Sequence, residues 1–540
     1  VGLKQNNKVI AYILLAIVGV ILISTGLPRL TIPDEEPFSK LHEIYSVKVC
    51  QDDTIKEIYE KREIAEKAVR EGYELRCELL DLDDRNAVTK QVITMSIFYV
   101  SVLGAIMFWE RRVAAVFLGL VAMIFLGVVP LKSALEHMEL DLVIFLIAMM
   151  TIVGYLEETG FLRYVSIKMV LASRGNPSAL LFLLTLVSFI MAALVDEVSS
   201  IVYVTYLTLE ITKLFNMRAI PWVLVVVFAT NIGSAATMIG NPIGIYIGLY
   251  FKLSFLDFIR FATPAAFVAL LATFVISRIY LKSDLKKIKT IVEKKGLELD
   301  PWVEVRDIRE FYISAVLFLV TIAGIALHTQ VAEFLNTLIH RIYLGTGLII
   351  TEHDALIVFP LITAAIALIR TGHEARKLIE EKVEWWALLF FMFLFAQAAA
   401  LSYSGVTDKI AYVILSSIGG GYDINTGILA NILVMYSTAF MSGFVDNMPV
   451  IVTLSPVAET IMNLGVMGSF MLPWSLLFGG TMGGNLTIIG STANIVAAGL
   501  MEKRKLHVRF GEWIKIGTVV VLATLFIASV WVVMNIMMLS

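Results

Sequence analysis

Two long apolar stretches of this chain carry carboxylates near their middle, and few folds tolerate that. The first runs from Ser178 to Ile211 and is broken by Asp196-Glu197; the second runs from Ile428 to Leu464 and is broken by Asp446-Asn447. The setting is apolar throughout. Of 540 residues, 58% are hydrophobic and 16% charged, against about 25% charged in a soluble domain. Runs of about 20 apolar residues cross a bilayer core, and such runs extend from Ile10–Leu27 to Gly517–Leu539. A carboxylate at the midplane costs roughly 2.5–3.5 kcal/mol on insertion scales. It persists where it binds a cation or carries a proton. The net charge of −3 and the scatter of basic residues among short loops argue against a nucleic-acid partner.

Lys and Arg mark cytoplasmic loops. The strongest basic loop, Arg278–Arg309, holds Lys282, Lys286, Lys287, Lys289, Lys294, Lys295 and Arg306. With that loop inside, Val92–Phe108, Val113–Val129, Val143–Glu157, Pro221–Tyr250 and Phe261–Tyr280 cross in the first half. Phe311–Leu327, Ala355–Ile369, Trp385–Tyr403, Leu472–Met501 and the last helix cross in the second. The stretch Ser178–Ile211 lies between Arg174 and Lys213, so it enters and leaves on one side: a re-entrant hairpin, or two spans with a buried loop. Ile428–Leu464 has no basic flank and fits a hairpin entered from the other side. The expectation is an all-α polytopic membrane protein, with about eleven transmembrane helices plus two re-entrant hairpins.

The expected division is a retained signal anchor at 1–31, a charged helical extracytoplasmic loop at 32–91, one repeat at 92–281, a basic cytoplasmic linker at 282–310 and a second repeat at 311–540. The N-terminus is expected inside, in the cell membrane. Within the loop, Ile55–Leu79 reads as a charged helix. Cys50 and Cys77 lie there, either as a disulfide or as two free thiols. Val331–Glu352 reads as an interfacial amphipathic helix or a dimer contact.

The repeat is visible in register. Val195-Asp196-Glu197 and Val445-Asp446-Asn447 are 250 residues apart, and the same offset aligns Phe228–Asn241 with Phe478–Ser491. The span ending at Gly160 matches the one ending at Gly405, with an offset of 245. Five spans and a hairpin per unit make the second unit inverted. Secondary transporters of that plan bind at the midplane, on discontinuous helices. Glycines such as Gly233, Gly240, Gly480 and Gly490, together with Pro242, favour such breaks, although glycine spacing also serves plain helix packing. Free carbonyls at a break coordinate cations, and free amides hold anions.

Asp196, Glu197 and Asp446 are therefore the expected ion- and proton-coupling groups. Asp196 and Asp446 can equally cap the second helix of each hairpin, and capping does not preclude ligation. Ser199, Ser200 and Asn447 at the tips, and Asn231, Thr237, Asn241, Thr481, Asn485, Thr487, Ser491 and Asn494 at the breaks, offer neutral ligands. A sodium ion is expected among Asp196, Asn231, Asp446 and Asn485, with no other cofactor. Glu157, Glu158, Glu210 and Glu459 read as interfacial. No Arg or Lys is expected near either break.

These motifs resemble those of the ion transporter superfamily, in its ArsB/NhaD-type permeases and their P-protein-like branch. The residues carrying the likeness are Val445–Asn447, Gly484–Asn494 and Asn231–Pro242, within 92–540. The resemblance implies two hairpins, a scaffold with a moving transport domain, homodimers and elevator-like alternating access. It departs at Asp196-Glu197, where Asp-Asn is usual, and at Pro242-Ile243-Gly244, where Pro-Pro-Asn is usual. The acidic first tip favours sodium/proton antiport. Efflux of arsenite or a related metalloid or anion, and sodium-coupled carboxylate uptake, are the alternatives. An intramembrane aspartyl protease built on Asp196 and Asp446 is disfavoured, because repeat symmetry accounts for the two aspartates and no G-x-G-D or HExxH motif accompanies them.

Overall fold

A computed structural model describes residues 2–33, 36, 38–42, 45, 82–174, 176–295, 300–303, 305, 307–342 and 350–540. Cys50, Cys77 and the expected helix at 55–79 lie outside the described residues. The described chain is helical, and ten of its helices are long and apolar enough to cross a membrane.

Two helices are buried almost throughout, Ala219–Ser234 and Leu472–Gly483, and the first has every residue but Ile220 shielded from solvent. A helix apolar all round belongs at the centre of a bundle. Ala219–Ser234 packs against Pro177–Leu194 and Glu197–Leu214, the two legs of the first hairpin. The second hairpin, Ile424–Ser442 and Asn447–Asn463, packs in the same way on Leu472–Gly483.

Both central spans are broken where glycine and extended backbone were expected. Ala219–Ser234 resumes only at Pro242–Tyr250, and Leu472–Gly483 resumes at Thr492–Lys503. The breaks repeat in detail. Thr237 (φ −135°, ψ 164°) matches Thr487 (φ −134°, ψ 168°), and Asn241 (φ −162°, ψ 165°) matches Ser491 (φ −153°, ψ 147°). A Cβ on Gly240 would lie 2.5 Å from the Ser234 carbonyl, and one on Gly490 would lie 2.5 Å from that of Gly484. Only glycine lets each break fold back so closely.

Among the helices not anticipated, two matter for the site. Phe161–Leu171 and Val406–Ser417 each connect a span to a hairpin, after Gly160 and Gly405, both at φ +79°. They are too short and too mixed in polarity to register as apolar runs. The amphipathic helix expected near 331–352 is present as His328–Ile342.

Candidate functional site

Each hairpin tip is held at the break of its own half. Thr237 Oγ1 donates to the carbonyl of Ala193, just before the first tip. Thr487 Oγ1 donates to Gly443 O at 2.5 Å, just before the second. The tips therefore sit beside the breaks; the first legs, Pro177–Leu194 and Ile424–Ser442, are themselves among the ten helices long enough to cross a membrane.

The two tips then diverge. Asp196 Oδ1 accepts from Val198 N at 2.7 Å and Ser199 N at 2.9 Å, capping the second leg. The next residue, Glu197, is 6% exposed and receives Ser234 Oγ at 3.3 Å. Asp446 makes no side-chain cap. It pairs instead with Arg112, whose Nη1 stands 3.3 Å from Oδ2, both side chains being nearly buried. The Arg112 guanidinium also lies over the Phe390 ring at 5.1 Å. Asn447 has its amide among the carbonyls of Gly490 (2.5 Å) and Gly480 (3.2 Å), to which its nitrogen donates.

Arg112 corrects the expectation that no basic residue approaches a break. It begins the helix Arg112–Phe125, 334 residues from Asp446 in sequence. Lys382 is a second exception. It pairs with Glu157 at 2.7 Å and Glu158 at 3.5 Å. Arg112, Glu157, Asp196, Glu197, Ser199, Asn241, Lys382, Asp446 and Asn447 line one cavity of about 410 Å³, which reaches the surface at the exposed Glu381 and Glu384. Glu157 thus belongs to the cavity, although its place at a helix end read as interfacial. Glu210 and Glu459 lie elsewhere, paired with Arg163 at 3.3 Å and bonded by Tyr250 Oη at 2.7 Å.

Behind the cavity the neutral residues form a joint between the two broken spans. Asn231 Nδ2 donates to Asn485 Oδ1 at 2.7 Å and Asn494 Oδ1 at 2.8 Å, while Ser491 Oγ donates to Asn231 Oδ1 at 3.1 Å. Asn494 Nδ2 closes the set on the Gly484 and Thr487 carbonyls, each at 2.8 Å. The amide oxygens of Asn485 and Asn494 are thereby engaged by protein donors. Asn241 Oδ1 caps Gly244 N at 2.6 Å, and its nitrogen donates to Ser234 Oγ at 2.8 Å. Thr481 bonds back to its own helix at Leu477 O, 2.7 Å away. The Ser200 hydroxyl is buried without a hydrogen-bond partner. Among the described residues no group of three or more His, Cys, Asp or Glu forms a metal cage.

Residues 102–479, well over half of the chain, match the family model described as a citrate transporter, CitMHS. The chain belongs to that family. Its members are transporters of the ArsB/NhaD-type superfamily, not enzymes, in line with the motif resemblance, and the protease reading falls. An uncharacterised transporter of Mycobacterium tuberculosis is 30% identical over 398 residues, covering 72% of this chain and 85% of that protein. The human P protein is 27% identical over 505 residues, covering 80% of this chain and 58% of that longer protein. Two solved structures share the fold. The YdaH transporter of Alcanivorax borkumensis has a TM-score of 0.51 at 16% identity, over 84% of this chain and 99% of that one. Neisseria gonorrhoeae MtrF, described with a class of antimetabolite efflux pumps, has 0.53 at 14%, over 78% and 85%. This family member is a multi-pass membrane transporter.

Proposed function

We propose that the protein is a secondary active transporter exchanging sodium for protons, with Glu197 as the coupling carboxylate. The observation that carries this reading is the isolation of Glu197. Its side chain is buried, its hydroxyl partner is neutral, and among the described residues no basic side chain pairs with it. An uncompensated carboxylate in a low-dielectric site is costly. A proton or a metal cation relieves that cost, and exchange of one for the other is antiport. Asp446 is less suited to that role because Arg112 already balances it. Asp196 and the Ser199 side chain stand beside Glu197 as further cation ligands.

With the basic loops inside, the cavity opens toward the cytoplasm and the two repeats are inverted. Alternating access then moves hairpins and broken spans against the remaining helices, in an elevator-like homodimer. The test is flux in proteoliposomes carrying a pH-sensitive dye. A sodium gradient is expected to drive proton movement in the wild type and not in E197Q. Absence of that movement in the wild type, or its persistence in E197Q, overturns the reading.

A second reading has its own observation. Arg112 and Lys382 place two cationic heads in the cavity, and Arg suits planar carboxylates. A carboxylate solute, such as the citrate for which the family model is named, would exchange with Asp446 on Arg112. Saturable uptake of labelled citrate into the same vesicles, lost in R112M, would support it.

A further inference from the structure

The segment that precedes each half of the molecule packs on the connecting helix of the other half. Before the span Arg85–Met107, Phe38, Lys40, Tyr45, Leu82 and Asp83 pack on Val406–Ser417 and the turns that flank it. Lys409, only 1% exposed, puts Nζ 2.8 Å from Asp83 Oδ1. Asp83 Oδ2 in turn accepts from Ile32 N at 2.7 Å. Leu82 and Tyr45 are fully buried, and a Cβ on Gly405 would lie 3.1 Å from the Tyr45 ring. Phe38 meets Tyr412 edge-on at 4.8 Å, and Lys40 lies over the Tyr422 ring at 4.8 Å.

Before the span Ile308–Ala326, Trp302 does the same to Phe161–Leu171, joined by Phe311 from the first turn of the span itself. Trp302 packs on Tyr164 at 4.5 Å, and Phe311 meets Tyr164 at 5.1 Å and Phe161 at 5.4 Å. The two contacts use different chemistry at equivalent places. Tyr164 and Lys409 are 245 residues apart, the offset that relates Gly160 to Gly405.

We infer that Asp83 and Lys409 are positioning residues: through them the N-terminal segment braces Val406–Ser417 and the turn after it, so that both stay in place while the second hairpin moves. Two features support this. A lysine buried to this degree is held in place by its carboxylate, because separating the pair strands a charge. The turn that follows the helix has Gly419 and Gly420 at φ +97° and +53°, a conformation glycine adopts readily, and it is held by Phe38, to which a Cβ on Gly420 would come within 2.8 Å.

Backbone amide exchange on the purified full-length protein tests the brace without reference to the solute. D83N and K409M are expected to speed exchange across 406–422 at least ten-fold, leaving 161–171 unchanged. K409R, which keeps the charge, should retain wild-type exchange. W302A should show the converse, loosening 161–171 alone. Unchanged exchange at 406–422 in folded K409M, or equal loosening of both helices, overturns the inference. A second measurement rests on the antiport reading. With Cys50 and Cys77 replaced by serine, a short bis-maleimide joining F38C to Y412C should leave sodium-driven proton movement intact. Flux blocked by the cross-link, in a protein whose uncross-linked form is active, would show that the brace opens during transport and would overturn the fixed role.

Discussion

The two hairpin tips lie 250 residues apart in matching register and differ in what their aspartates do. Asp196 turns inward on its own helix as a cap, with two backbone bonds. Asp446 leaves its helix uncapped and reaches across to Arg112 on another element. The neighbouring position diverges in parallel. Glu197 brings a second carboxylate to the first tip, whereas Asn447 brings an amide that ties the second tip to the Gly480 and Gly490 carbonyls. One tip concentrates uncompensated charge and the other neutralises it. One geometry thus occurs twice, with its charge left open at the first copy and tied down at the second.

The contrast can be broken most sharply at the position after each aspartate. E197Q is expected to abolish sodium-driven proton movement, whereas N447A should retain it with reduced stability, both measured in proteoliposomes. Equal losses in the two variants would end the division of labour. Next in size is D446A. It leaves Arg112 buried without its carboxylate, and breaking such a pair costs about 3–5 kcal/mol. Denaturant unfolding in detergent should show that loss, and R112M/D446A should recover most of it. By contrast D196A removes a cap, worth about 0.5–2 kcal/mol, and D196N should cost less than that because asparagine caps nearly as well. A ratio near one between D446A and D196A would show that the two aspartates have equivalent roles. The smallest effects belong to the shared feature. T237A and T487A each remove one hydroxyl bond, worth about 1 kcal/mol, and should match each other.

Much of this was legible in the chain. The offset of 250 residues located both tips and both breaks, because a broken span needs glycine, small polar residues and a capping side chain in fixed order. Thr237 and Thr487 were visible as candidates, although their bonds to the hairpin carbonyls were not. Arg112 was missed for a physical reason. In sequence it belongs to the basic turn Glu110-Arg111-Arg112, which topology places at an interface, and nothing local signals a partner 334 residues away. Lys382 and Glu157 were hidden in the same way, each at the end of its own helix. Asn231, Asn485 and Asn494 were recognised as polar groups in apolar spans. Their role as a joint depends on two spans crossing, which spacing along one span does not encode.

That joint has a consequence for how the transmembrane voltage acts on the protein. The amides and hydroxyls that join Asn231, Asn485, Asn494 and Ser491 carry no net charge for the membrane potential to pull on. A single uncompensated charge carried through the same field gains or loses about 2.3 kcal/mol per 100 mV. If Glu197 is the coupling carboxylate proposed above, voltage acts on the first tip and not on the crossing of the two broken spans.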